Sequence, residues 1–590
     1  MAHNSKDVSD SQGSDAPPKR HPARRTVVKG AAWTLPAVTM VTRVPMAAAA
    51  SGSCDGMELT ITPPLTSIEY GGVTGGGGVD DPPNPVVTLT QNGVPLAGEN
   101  VTVNLSGGFK FSGGPFSGQS TGTWTTDGNG KASFSVTYAS STPTVCQADA
   151  DITARFICAG STNINASAKV RVGGFRFVAF GYDNDGRGAI TPTGGNKNVE
   201  TLMTDTFATK SLVYMKGVHE GLLWIDQDNR LWGRGCNFWN DIPWKADGSS
   251  TDALNPQRQL RNATSYVENV VFISGSHKTL PLCVALTADG TLYATGGSSS
   301  NSLPSALASS SPTQKFWTQA GQNLVFPTGA GWAAGDKKFK EVVMSPDNTC
   351  HYLLENGYVW GFGGGANGRG GWGSASTPAA GGRAVQTAAW TGTTAGVGAN
   401  PLTGVKHIAN NSQAAAAVTT DGKLWRTGAA TRGGNGNNWF TDYGTLPGGR
   451  KAAKVYNGDD HMFVVMTDGT AWALGQNDSG KLGTGVTGSP GATLTQVVLP
   501  AGRTVHDVAT GEKATMFLLD NGHVYFAGSN STGGPVGSAS PTTPGSTGNF
   551  NSPTKVALSS CASQIAVSYE QTYYVWLDCE YCPVDLPVPS

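Results

Sequence analysis

Residues 458–483 read GDDHMFVVMTDGTAWALGQNDSGKLG. The apolar run Phe463-Val464-Val465 is followed by Asp468-Gly469, then by Ala471-Trp472. Asp-Gly suits a tight hairpin turn because such turns need positive φ, which glycine tolerates at no steric cost. The stretch predicts two short antiparallel strands around a turn, closed by the glycine-rich loop Gly475-Gln476-Asn477-Asp478-Ser479-Gly480-Lys481-Leu482-Gly483.

The same unit recurs through the chain. Leu222-Leu223-Trp224-Ile225, Asp228-Asn229 and Leu231-Trp232-Gly233 form one copy. Val284-Ala285-Leu286, Asp289-Gly290 and Leu292-Tyr293 form the next. Tyr352-Leu353-Leu354 with Asn356-Gly357 and Val359-Trp360-Gly361 follows, then Ala416-Ala417-Val418 with Asp421-Gly422 and Leu424-Trp425. After the 458–483 copy come Met516-Phe517-Leu518, Asn521-Gly522 and Val524-Tyr525. A degraded seventh copy is read at Ile565-Ala566-Val567, Glu570-Gln571 and Val575-Trp576.

The aromatics at 232, 293, 360, 425, 472, 525 and 576 are 47 to 67 residues apart. Seven hairpin units at that spacing predict a seven-bladed β-propeller over residues 174–578. Helical repeats are excluded, because turns and period-two strands recur where a helix would sit. Phe175-Arg176-Phe177-Val178-Ala179-Phe180-Gly181 reads as a second strand without a first. It is expected to complete the blade begun by 562–578, so that the chain ends close the ring.

These copies resemble the repeats of the regulator of chromosome condensation family. That family's pattern is a Gly-x-x-His segment, an apolar strand, Asp-Gly, an aromatic strand ending in Gly, then Asn-x-x-Gly-x-Leu-Gly. Residues 458–483 match it best; Gly217-Val218-His219 and Gly275-Ser276-His277 echo its first segment. The resemblance covers about 400 residues and implies a seven-bladed propeller. His219, His277 and His461 then fall at one repeat position and are expected to hydrogen-bond within blades.

Residues 51–173 alternate with period two and form a predicted β-sandwich. Val86–Thr90 leads into the turn Asn92-Gly93, Val101–Leu105 alternates, and Trp124–Thr126 enters Asp127-Gly128-Asn129-Gly130. The stretch resembles the bacterial immunoglobulin-like domains of surface proteins, which act as spacers or adhesive modules. The fold class expected for the whole chain is therefore all-β: an immunoglobulin-like sandwich followed by the propeller.

Residues 1–50 are read as an export signal. Arg24-Arg25 with Lys29, a modestly apolar stretch from Gly30 to Val44 and Ala47–Ala50 follow the order basic, apolar, cleavable. The paired arginines resemble the twin-arginine signal, which places the protein at the cell surface or in the medium, cleaved near Ala49 or Ala50. The apolar stretch, interrupted by Pro36 and Arg43, falls short of the about 20 apolar residues a membrane helix needs. The Cys/Pro-rich tail 579–590 has no apolar anchor, and the protein is not expected to span a membrane.

Composition agrees with that picture. Of 590 residues, 81 are glycine and 14 % are charged, which suits short strands and tight turns. Lys plus Arg number 40 against 41 Asp plus Glu, with no basic stripe after residue 43, which argues against a nucleic-acid partner. Nine cysteines suit an oxidising destination, and their odd number leaves one over. Two among Cys54, Cys146 and Cys158 are expected to bridge. Cys579-x-x-Cys582 reads as a tie for the C-terminus, with Cys561 as a candidate partner.

Chemical motifs are few. Gly475-x-x-x-x-Gly480-Lys481 partly resembles a phosphate loop, but Leu482 stands where Ser or Thr should hold magnesium. Gly118-Gln119-Ser120-Thr121-Gly122 matches a nucleophile elbow with no helix after it. Asp183-Asn184-Asp185-Gly186 lacks the later glutamate of a calcium loop and is read as a turn. No catalytic residue, metal site or cofactor is expected.

What remains is the surface. Trp239, Trp244, Trp317, Trp332, Trp372, Trp390 and Trp439 lie outside the repeat's core strands, in Gly- and Ser-rich insertions. Large aromatics in loops suit an interface or a sugar-stacking platform; the alternative is that each tucks under its own loop. The leading expectation is an exported, non-catalytic binding protein that presents a propeller face to a protein or glycan. A secreted enzyme inhibitor is a second reading, with Asp241 and Asp336 as its acidic candidates; one bacterial branch of the repeat family looks like a propeller that plugs an active site. A propeller hydrolase or lyase with axial carboxylates is a third. The nucleotide-exchange activity of the family's eukaryotic members is not expected, since export separates the chain from any GTPase.

Overall fold

The structure is a computed structural model. It describes residues 54–63, 65–69, 84–138, 148–158, 162–173, 175–181, 197–202, 212–218, 221–235, 253–275, 282–296 and 314–319. It also describes 339–345, 349–363, 366–373, 382–383, 386, 400–530, 535–536, 548–568 and 572–578. Among these the regular structure is β-strand with three short 3-10 turns and no α-helix. The export signal with Arg24, Arg25 and Lys29 lies outside the described residues, as does the tail 579–590.

The N-terminal region is two larger sheets and a two-stranded ribbon, Phe109–Phe111 with Val136–Tyr138, over one core. Met57–Thr62, Val86–Gln91, Val94–Pro95 and Lys131–Ser133 form one sheet. Leu65–Glu69, Thr162–Gly173, Ala148–Cys158, Asn100–Leu105 and Thr121–Thr125 form the other, with Leu65–Glu69 pairing parallel to its neighbour. Alternation decides the inside: Val87, Leu89, Val101, Val103, Ile152, Ala154 and Val170 share a single buried cluster. Asn92 and Gly93 take the positive φ that the hairpin requires. At the other turn Asp127 accepts from the main-chain N–H groups of Lys131 and Asn129, and these bonds hold its carboxyl below the ordinary range. Cys54 and Cys158 form a disulfide between the entry to the first sheet and an end of the second.

From residue 175 onward the described strands form seven four-stranded antiparallel sheets and one small hairpin. Blade 1 comprises Leu212–Val218, Gly221–Asp226, Leu231–Gly235 and Ala253–Arg258. The first strands of blades 2 to 6 are Val270–Gly275, Phe339–Met344, Val405–Asn410, Ala452–Asn457 and Val505–Thr510. Blade 7 joins Cys561–Val567 and Thr572–Asp578 to Phe175–Gly181 and Lys197–Leu202, so it takes two strands from each side of the chain. Each blade packs on the next through its own buried cluster, and the cluster of Phe177, Trp224, Tyr574 and Trp576 joins blade 7 to blade 1. The ring is closed.

Second strands have neighbours on both faces, which is why they read as continuous apolar runs without alternation. Ala414–Thr419, His461–Met466 and Ala514–Leu519 are buried at every position.

The seventh copy differs from the sequence reading in one respect. Thr572–Asp578, which carries Trp576, occupies the second-strand position of blade 7, because Cys561–Val567 precedes it as the first strand. The third strand is Phe175–Gly181, whose Gly181 ends it at positive φ as Gly235, Gly428 and Gly475 end theirs. The copy looks degraded because the turn between its second and third strands does not exist; the two chain regions meet there instead. Glu570-Gln571 therefore links a first to a second strand.

Candidate functional site

First strands contact one another around the ring, and the first strand of blade 7 contacts that of blade 1, so these strands form the hub. All seven carry a register shift at the same place: Leu212/Tyr214, Val270/Phe272, Phe339/Glu341, Val405/His407, Ala452/Lys454, Val505/Asp507 and Ala562/Gln564. A bulge sets two residues against one, so two consecutive side chains leave the same face of the strand. Burial follows the bulge. The residue before it and the residue after the pair are buried, while the pair between them faces the axis partly open to water.

The second residue of each pair forms a ring: Tyr214, Phe272, Glu341, His407, Lys454, Asp507 and Gln564, in blade order. Tyr214 and Phe272 stack with centroids 5.4 Å apart and planes 22° apart. Glu341 Oε2 lies 3.5 Å from His407 Nδ1, and Asp507 Oδ1 lies 3.7 Å from Lys454 Nζ. Gln564 donates through Nε2 to the carbonyl of Val213 at 2.7 Å, bridging the closure. The first residues of the pairs include Lys340 and Lys406 on blades 3 and 4, and Lys340 Nζ donates to the main-chain oxygen of Lys406 at 3.1 Å. The hub is thus aromatic on blades 1 and 2 and ionic on blades 3 to 6.

Its electrostatics are coupled across the ring. Burial lowers the Lys216 pKa against the pull of Asp507 on blade 6. Burial and the like charge of Lys340 lower that of Lys406, with Asp421 opposing. Burial also works against the Lys454 ammonium, but Tyr456, Asp507 and Tyr214 outweigh it and hold its pKa above the ordinary range. The Lys454 side chain keeps 44 % of its surface open to water. Its ammonium sits 4.5 Å from the centroid of the Tyr456 ring. The two carboxylates, Glu341 and Asp507, stand on blades 3 and 6, each beside its own cationic or imidazole partner.

The residues expected from the sequence fall elsewhere. Trp372 is fully buried: its backbone bridges that of Trp439, and its indole lies 6.5 Å from the His351 ring. It is core under its own loop and offers no surface to a partner. Trp439 is half-buried beside it. Trp317 lies in the fourth strand of blade 2, Gln314–Gln319, and not in a loop. Trp239, Trp244, Trp332, Trp390, Asp241 and Asp336 lie outside the described residues, as do His219, His277, Asp183 and Asp185. His461 reaches out of its blade: Nδ1 lies 3.4 Å from Asp460 Oδ1, and Nε2 lies 3.4 Å from Thr515 Oγ1 of blade 6. Lys481 of the phosphate-loop look-alike is buried and donates to Asp460 at 2.6 Å. Ser120 leads into strand Thr121–Thr125.

Among the cysteines, Cys54 pairs with Cys158, and Cys561 is disulfide-bonded to a partner outside the described residues. Cys146, Cys579 and Cys582 also lie outside them. No group of three or more potential metal ligands occurs among the described residues, and none of their helices is long and apolar enough to cross a membrane.

The hub is hidden in the sequence because the apolar signal is strongest in the second and third strands. A signal existed. Each first strand has apolar residues three apart with two hub residues between, as in Val405-Lys406-His407-Ile408 and Val505-His506-Asp507-Val508.

No family model matches the chain. A stretch of 129 residues, 20 % of the chain, is 33 % identical to the E3 ubiquitin-protein ligase HERC2 of Homo sapiens, and equally to that of Mus musculus. The match spans 3 % of the length of those relatives. Among solved structures, human WBSCR16 aligns with a TM-score of 0.52 at 14 % identity, covering 68 % of this chain and 99 % of its own. Prp20p of Saccharomyces cerevisiae, whose binding properties to Gsp1p and histones were determined with its structure, aligns at 0.50 and 16 % identity. That alignment covers 69 % of this chain and 93 % of Prp20p. The chain shares the β-propeller fold of these RCC1-like proteins.

Proposed function

We propose that this protein is an exported, non-catalytic binding protein: the N-terminal sandwich, immunoglobulin-like in its pattern, carries a propeller whose hub face meets a protein or glycan partner. The hub is the observation behind this reading. Its aromatic side offers contact area with directionality, and its ionic side offers orientation. Glu341 and Asp507 sit on separate blades, each beside its own partner, an arrangement that favours recognition over paired acid–base work. Prp20p, a structural neighbour with binding properties to Gsp1p and histones, shares the propeller fold, and this supports a protein-interaction role. Export rests on Arg24, Arg25 and Lys29 and on the disulfide Cys54–Cys158, which suits an oxidising compartment.

The test couples export with binding. Residues 1–50 fused to a reporter should direct it out of the cytoplasm, and Arg24→Lys with Arg25→Lys should retain it. The exported chain should bind saturably to a surface fraction of its own cells or to an arrayed glycan, with affinity reduced by Lys454→Ala. A chain that binds nothing saturably overturns the reading. So does turnover of a glycoside or ester that Glu341→Gln or Asp507→Asn abolishes, since that result establishes the hydrolase or lyase alternative.

A further inference from the structure

We propose that the hub holds an anion site between Lys340 and Lys406, which takes an oxyanion carried on a ring, of the aryl or glycosyl phosphate class. This deepens the binding-protein reading and rests on it. The two lysines occupy the same bulge position on adjacent blades, so their side chains enter the hub side by side. Lys340 uses one donor on the Lys406 carbonyl at 3.1 Å, which carries its ammonium toward blade 4 and leaves two donors for a ligand. Neither lysine has a carboxylate within ion-pair distance among the described residues. Glu341 and Asp507, the hub's acids, lie beside His407 and Lys454 instead.

Lys216 and Lys454 also face the axis, so the described first strands bring four ammonium groups against two carboxylates. Such an excess in a partly desolvated channel is unfavourable for the empty protein and is relieved when an anion enters. The depressed pKa of Lys406 has this origin, burial first and Lys340 second.

The neighbouring blade supplies the second half of the site. Phe272, at the bulge of blade 2, the blade next to that of Lys340, stacks with Tyr214 and is only partly buried. A ring lying on this pair places an attached phosphate toward blade 3 and then blade 4. Phosphate suits the two lysines, which are point charges with rotatable donors and no planar fork.

Titration calorimetry at low ionic strength on the full exported chain tests the site, with phenyl phosphate, inorganic phosphate and phenol as probes. Phenyl phosphate should bind one to one, inorganic phosphate about tenfold more weakly and phenol not measurably. Lys340→Met and Lys406→Met should each weaken phenyl phosphate about tenfold, while Lys406→Arg retains it. Phe272→Leu should remove the advantage of phenyl phosphate over phosphate and leave phosphate itself unchanged. Should Lys406→Met not fold, Lys340→Met and Lys406→Arg decide the question. Absence of binding to the wild-type chain overturns the site, and so does equal binding to the methionine variants. If the chain still captures its surface partner when titration fails, the ligand class is wrong and the binding-protein reading stands. Titration without capture supports the site and overturns that reading.

Discussion

Gly217 and Val567 stand against each other where the ring closes: a β-carbon built on Gly217 would lie 2.0 Å from the Val567 carbonyl oxygen and 2.3 Å from its carbonyl carbon. Gly217 is the last but one residue of the first strand of blade 1, and Val567 ends that of blade 7, so the two blades meet there in a main-chain contact that only glycine permits. Gly275, the matching residue of blade 2, would meet the Val218 side chain instead, at 2.7 Å.

Gly217→Ala should therefore destabilise the propeller by about 2 kcal/mol through overpacking. Gly275→Ala should cost less, because a valine side chain can shift where a carbonyl cannot. Urea midpoints of the two variants check the order, and equal midpoints would show that the closure relaxes freely.

His351 makes stability depend on pH. Its ring is fully buried; Nδ1 lies 2.9 Å from Asn410 Nδ2 and Nε2 lies 3.2 Å from the Gly370 carbonyl. Burial depresses its pKa to about 4, with the Gly370 contact opposing and the Arg369 charge assisting. The unfolded chain takes up a proton near pH 6.5 and the folded chain near 4. Stability is therefore complete above 6.5, declines as pH falls through the interval, and levels off below 4. The loss is roughly 3 kcal/mol. Unfolding free energies at pH 7, 5.5 and 4.5 should show this decline in the wild type and a flatter profile in His351→Gln; parallel profiles would remove His351 as the cause.

Asp460 neutralises two cations at the junction of blades 4 to 6. Lys481 donates to one oxygen at 2.6 Å, and Arg432 pairs with the other. Burial pushes against the carboxylate, but His461 and Lys481 overcome it and hold its pKa well below the usual range. Asp460→Asn leaves the buried Lys481 ammonium without a counter-charge and should cost about 3–5 kcal/mol, with much of the loss recovered in Asp460→Asn/Lys481→Met. Thermal unfolding of the pair of variants measures it; no recovery in the double variant would mean that the cost is not electrostatic.

The disulfide Cys54–Cys158 closes a loop of 104 residues through the sandwich. Cys54→Ala/Cys158→Ala should lower the stability of that region by about 2–5 kcal/mol. Reductant should do the same to this region of the wild type and leave the same region of the variant unchanged, as hydrogen exchange on strands Val86–Gln91 and Ala148–Cys158 will report, since the disulfide of Cys561 lies in the propeller.

Trp372→Ala should behave as a core truncation. The side chain is fully buried, so about 3–5 kcal/mol of stability is lost. Affinity for a surface partner, measured where both proteins are folded, should stay unchanged. A specific loss of affinity would return this residue to the binding face.

Much of the fold is readable from the chain because its signals are local. Asp-Gly and Asn-Gly turns, period-two strands and continuous apolar second strands each depend on a few neighbouring residues, and they recur often enough to predict a ring of seven. The residues 175–181 were recognisable as a strand lacking its predecessor for the same reason. Between a binding Trp372 and one tucked under its own loop the sequence cannot choose, because a tryptophan in a Gly-rich loop looks alike whether its indole faces water or lies buried near His351. Trp576 reads as the aromatic strand of a seventh hairpin unit, yet its strand is the second of blade 7 and not the third as in the other copies, because the turn that marks the register is missing there.

The sequence by itself determined the class of the fold, the number of blades and the spacing of the repeat, since hydrophobic period and turn chemistry are written residue by residue. Only the tertiary structure decided which side chains meet on the axis. Tyr214 and Phe272 are 58 residues apart, Glu341 and His407 66, and Lys454 and Asp507 53; no local rule joins them. They become neighbours because every first strand carries the same bulge and ring closure turns all seven bulges inward. The hub's aromatic and ionic sides are a product of that closure.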